Sequence, residues 1–94
     1  MKTLTMNQAE DLFDAIGACL DTAAVDVWHD GGCEYYNPYC GVVAQWVDGT
    51  DDEFTVRGYF VNGRQDVNLT GWTASQIAEW FVQATVLGEQ NPAA

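Results

Sequence analysis

The stretch Val56-Arg57-Gly58-Tyr59-Phe60-Val61-Asn62-Gly63-Arg64-Gln65-Asp66-Val67-Asn68-Leu69 decides how the middle of this chain folds. Asn62-Gly63 is a dipeptide favoured by a two-residue type I′ hairpin, because both central residues of that turn take positive φ. Centring a hairpin there fixes a register. Val61 faces Arg64, Phe60 faces Gln65, Tyr59 faces Asp66, Gly58 faces Val67, Arg57 faces Asn68 and Val56 faces Leu69. Side chains alternate between the faces of a strand, so Phe54, Val56, Phe60, Val67 and Leu69 collect on one face and Arg57, Tyr59, Asp66 and Asn68 on the other. The first face is expected in the core and the second in water.

Working outward, residues 24–29, 41–47, 53–61 and 64–70 are rich in β-branched and aromatic residues and separated by turn chemistry, which predicts four strands. The loop Asp48-Gly49-Thr50-Asp51-Asp52 is read as five residues long, since Trp46 then lies opposite Phe54 and Ala44 opposite Val56, apolar against apolar. A two-residue Asp48-Gly49 turn would set Trp46 against Asp51. Helices are predicted at both ends. Over 5–21, Ala9, Leu12, Phe13, Ile16, Cys19 and Leu20 recur at intervals of three and four, behind a capping box of Thr5 and Gln8. After a second box, Thr73 and Gln76, the residues Ile77, Trp80, Phe81, Ala84 and Leu87 repeat the spacing, with Gly88 placed to stop the helix. The expected fold is therefore α+β: helix, four-stranded antiparallel meander, helix, with both helices on one face of the sheet. Residues 1–94 have the size of a single domain.

Charge is the most unusual feature. Fourteen Asp and Glu stand against three Lys and Arg, a formal charge of −11. Such self-repulsion costs stability; it serves solubility, or steers the chain towards a basic surface. Direct binding to DNA or RNA is disfavoured, because three cations release few counterions from phosphates. Anionic membrane surfaces are disfavoured for the same reason. The leading residues Met1 to Asn7 lack the apolar core of a secretory signal, and no stretch approaches the roughly 20 apolar residues of a membrane span. The expectation is a cytoplasmic protein whose three cysteines remain free thiols.

Several clusters bear on function. His29, Cys33 and Cys40, with Asp30 and Glu34 nearby, are the one group with metal-ligand or nucleophile chemistry. Their spacing lacks the two close pairs of a structural zinc site, and the surrounding carboxylates raise a thiol pKa rather than lower it. An irregular loop with two partly buried thiols is the expected outcome, with neither metal nor cofactor. Asp48, Asp51, Asp52 and Glu53 lack the ordered pattern of a calcium loop and read as an acidic contact surface. Asp11, Asp14 and Asp21, with Glu10 beside them, form a stripe on the first helix spaced by about 4.5 and 10 Å, the order of phosphate spacings along a strand. Almost no Lys or Arg alternates with these acids. Tyr35, Tyr36 and Tyr39 flank Asn37-Pro38 and either roof the core or supply interface anchors.

In size, acidity, lack of catalytic machinery and compact helix-and-sheet fold, the chain resembles the small acidic inhibitors of phages and other mobile elements, including DNA mimics and some anti-CRISPR proteins. That resemblance implies an inhibitor, not an enzyme. It would occupy the basic nucleic-acid channel of a host defence complex in the host cytoplasm, presenting carboxylates where phosphates would lie. Two other functions fit the composition: an immunity protein that plugs a basic nuclease toxin, and a small thiol or metal-dependent enzyme using His29 and Cys33.

Overall fold

The computed structural model describes residues 2–20, 25–29 and 32–90, with 25–29, 32 and 33 described by their backbone. In chain order these form α1 (Met6–Cys19), β1 (Val25–His29), β2 (Gly32–Tyr36), β3 (Cys40–Trp46), β4 (Phe54–Phe60), β5 (Val67–Asn68) and α2 (Ala74–Gln90). The strands pair antiparallel in sequence order, and the two helices pack against each other on one face of the sheet. The α+β class and the order of helix, meander and helix are those read from the sequence.

The meander has five strands rather than four. Gly32–Tyr36, expected as irregular loop, pairs with β1 on one side and β3 on the other, placing Val25 opposite Tyr36 and Tyr35 opposite Val42. His29 pairs with Gly32, which leaves only Asp30 and Gly31 between the two strands. Asp-Gly is itself a hairpin dipeptide. Asp30 and Gly31 lie outside the described residues, as do 21–24 and the tail 91–94.

The β3–β4 register is the expected one, with Trp46 opposite Phe54 and Ala44 opposite Val56. The Val47 amide donates to the Glu53 carbonyl at 2.8 Å, leaving 48–52 as the loop. The β4–β5 register, Gly58 with Val67 and Arg57 with Asn68, also matches. The turn that produces it does not. Gly63 has φ of 87° but among the described residues no non-glycine has positive φ, so Asn62 does not enter the left-handed region a type I′ turn requires. The cause lies at the end of β4, where the Val61 amide donates to the Tyr39 carbonyl at 3.0 Å and prolongs pairing with the β3 side. Residues 64–66 leave the ladder, β5 shrinks to two residues, and the Thr70 hydroxyl accepts from the Val56 amide at 2.8 Å.

The core is the layer between helices and sheet. Ala9, Phe13 and Ile16 from α1 meet Cys40, Val42 and Ala44 from β3, Phe54 and Val56 from β4, Leu69, and Ile77, Phe81 and Ala84 from α2. Each large side chain fully buried there contributes about 1.5–3 kcal/mol. Both helices begin at the capping boxes read from sequence: the Gln8 amide donates to the Thr5 hydroxyl at 3.1 Å, and the Gln76 amide to Thr73 at 3.2 Å.

Three helix assignments differ. Cys19 is exposed, because at 3.6 residues per turn it sits nearly a right angle from the centre of the Ala9, Phe13 and Ile16 stripe. Leu87 is 39% exposed on the outer side of α2. Gly88 does not stop its helix, which runs on to Gln90. Instead it is buried beneath Tyr39, whose Cβ lies 2.6 Å from where a Gly88 side chain would begin. Close packing explains that glycine.

Candidate acidic binding surface

Glu10, Asp11 and Asp14 are exposed on α1, and Asp48, Asp51, Asp52 and Glu53 are exposed on or beside the β3–β4 loop. Distant in sequence, the two groups meet in the fold. Leu4 and Phe54 exchange both backbone hydrogen bonds, at 2.8 and 2.7 Å, which lays the chain before α1 along the start of β4. The Met6 amide then donates to Asp52 Oδ1 at 2.7 Å, and the Thr3 hydroxyl to Glu53 Oε1 at 3.0 Å. A carboxylate at a helix N-terminus satisfies a free amide and faces the positive end of the macrodipole. Along α1, Glu10 follows Met6 by about 6 Å and Asp14 by about 12 Å, so the loop acids continue into the helix acids.

α1 ends at Cys19, and Leu20 already has extended φ and ψ of −86° and 124°. Asp21 itself lies outside the described residues.

Two of the three cations are placed elsewhere. Arg57 pairs with Asp66 at 3.2 Å on the sheet face away from the helices, and the Arg64 guanidinium stands 6.0 Å from the centre of the Phe60 ring. Lys2 lies against Gly71 and shares with Leu4, Gln8, Leu12, Trp72 and Asp11 a groove beside α1. Of the acids, Asp11 has this cation nearby; Glu10, Asp14, Asp48 and Asp51 keep their charge facing solvent.

The tyrosines divide. Tyr35 is half-buried, stacks on Phe13 with centroids 5.9 Å apart and an interplanar angle of 4°, and packs over Gly17. It roofs the core. Tyr36 and Tyr39 are each 36% exposed. They flank the start of β3, whereas the acidic loop follows its end, about 20 Å away along the strand. They do not join the acidic surface.

Nor does the register gather the thiols. Cys33 lies opposite Ala44, four residues and about 13 Å along β3 from Cys40. Cys40 is fully buried on a strand rather than partly buried in a loop, its sulfur 3.7 Å from the Phe81 carbonyl oxygen and 3.4 Å from the Thr85 hydroxyl. Burial pushes its thiol pKa up, against a smaller opposing effect of the Thr85 hydrogen bond. The side chains of His29 and Cys33 lie outside the description. Among the described residues, no three His, Cys, Asp or Glu side chains converge to hold a metal ion.

Two features were missed by sequence reasoning. On the sheet face away from the helices, the Tyr59 hydroxyl donates to Glu34 Oε2, and its ring covers Gly41. Burial raises the Tyr59 pKa well above its ordinary value; the hydrogen bond to Glu34 and the Glu34 charge add to the shift. The second is Trp46, whose alternation places it on the core face but which ends β3 and is 46% exposed. Its position immediately before an acidic loop was the available signal.

Comparison of the chain with protein-family models, characterised proteins and solved structures finds no match. Among the described residues no helix is long and apolar enough to cross a membrane.

Proposed function

We propose that this chain is a binding protein whose α1 and β3–β4 loop acids dock on a basic surface that otherwise holds nucleic acid, and that it inhibits its partner by occupying that surface. The observation that carries this reading is the continuity of the two acidic groups, fastened by the bond from the Met6 amide to Asp52. A solvated helix face ordinarily mixes both signs of charge. Here two of the three cations are held by Asp66 and Phe60, away from these acids. Rows of exposed carboxylates a few ångströms apart offer a basic channel a charge pattern like that of phosphates, and the overall −11 charge steers encounter over longer range.

The test is capture on the immobilised chain followed by competition. Basic nucleic-acid-binding proteins should be retained at low salt and released by duplex DNA or RNA at concentrations that saturate them. Retained proteins that nucleic acid does not displace would contradict the reading.

A further inference from the structure

Beside the acidic loop lies a small notch lined by Met6, Trp46 and Phe54, with Asp51 and Asp52 at its rim. Phe54 is buried and Met6 half-buried, so they supply an apolar floor, while Trp46 stands 46% exposed. Leaving a tryptophan that exposed forgoes much of the stabilisation its large apolar surface would give on burial. Tryptophan is also among the residues most enriched at interface hot spots.

We propose that this notch takes an arginine side chain of the partner. The proposal deepens the docking reading and rests on it for the partner being basic. An indole face attracts a cation through its quadrupole, and a planar guanidinium stacks on it with little loss of hydration. The apolar stem of the arginine covers Met6 and Phe54. Its N–H groups reach the rim, where Asp51 makes no hydrogen bond or ion pair among the described residues and Asp52 has one oxygen on the Met6 amide. Lysine fits less well, because its compact, strongly hydrated ammonium neither stacks nor forks. A nucleobase could stack on the indole, but its phosphates would meet the two carboxylates. A second copy of this chain is disfavoured because Arg57 and Arg64 already hold Asp66 and Phe60.

The full chain, labelled with 15N at its tryptophan indoles, is titrated with a tetra-arginine peptide and with tetra-lysine. The Trp46 resonance, assigned with Trp46→Phe, should shift saturably and further than those of the other three tryptophans, with arginine preferred about threefold or more. Trp46→Leu keeps an apolar cover for Phe54 and should weaken arginine-peptide binding about fivefold or more; Asp51→Asn should weaken it by a smaller factor. Equal shifts at all four indoles, or unchanged affinity in folded Trp46→Leu, would overturn the notch. The two readings fail separately. A captured partner that binds Trp46→Leu normally yet loses affinity when α1 acids are reversed removes only the notch. Salt-independent association with the partner removes the docking reading even if the arginine peptide still shifts Trp46.

Discussion

Asp52 accepts the Met6 backbone amide through Oδ1 at 2.7 Å, so the acid that ends the β3–β4 loop also caps the first turn of α1. Thr5 already takes the Gln8 amide, and Asp52 satisfies a further N-terminal donor from a distant loop. One carboxylate thus fixes where the helix acids lie relative to the loop acids. Removing it changes stability and surface together, which makes Asp52 a poor choice for testing charge alone.

Asp52→Ala should destabilise the fold by about 1 kcal/mol, the usual cost of losing a helix-capping side chain. Asp48→Ala, exposed and without such a bond, should stay within about 0.5 kcal/mol of the parent. Urea denaturation followed by circular dichroism checks both, and equal stabilities would mean the Met6 bond contributes nothing.

Gly88→Ala should cost about 1–3 kcal/mol, the range for overpacking a close contact, because the new methyl meets Tyr39. Shortening Tyr39 cannot move its Cβ, so Tyr39→Ala should recover only part of the loss and Tyr39→Gly more. If Gly88→Ala were as stable as the parent, Gly88 would not be there for packing.

Tyr59 should remain protonated at a pH where a free tyrosine side chain ionises. Its pKa is raised in the folded state, so the stability it contributes is full below the unfolded value of about 10 and falls as pH climbs from there towards the folded value. An absorbance titration of the native chain should show one tyrosine ionising late, and Tyr59→Phe should remove that late phase. A late phase that survives the substitution would assign it to another residue.

Turn chemistry and period carried the sequence reading furthest. Apolar pairing set the loop length between Trp46 and Phe54, and Asn62-Gly63 set the register of Gly58 with Val67, because hydrophobic matching leaves few alternatives once one face is buried. The same dipeptide misled about the turn itself, since the tertiary bond from Val61 to Tyr39 outweighs local preference. β2 was missed because Cys33, Glu34, Tyr35 and Tyr36 lack an apolar alternation, although Asp30-Gly31 stood ahead of them as a hairpin signal. At the candidate site, acidity and its residues were legible, but adjacency was not. That α1 and the loop share one flank depends on Leu4 pairing with Phe54, a contact no local pattern announces. α1 ends at Cys19, short of the expected bound at 21, and spacing alone does not decide whether Tyr35 roofs the core, because a stacking partner such as Phe13 cannot be read from it.

The docking account is tested most directly by the association rate with the captured basic partner, measured at roughly 50 and 500 mM salt for the parent and for Glu10→Lys, Asp11→Lys and Asp14→Lys combined. The parent should associate far more slowly at high salt while its dissociation rate changes little. The reversed chain should bind at least about tenfold more weakly at low salt, about 1.4 kcal/mol, and lose most of the salt dependence. An association rate indifferent to salt in the parent, with full affinity in a folded triple variant, would contradict the account.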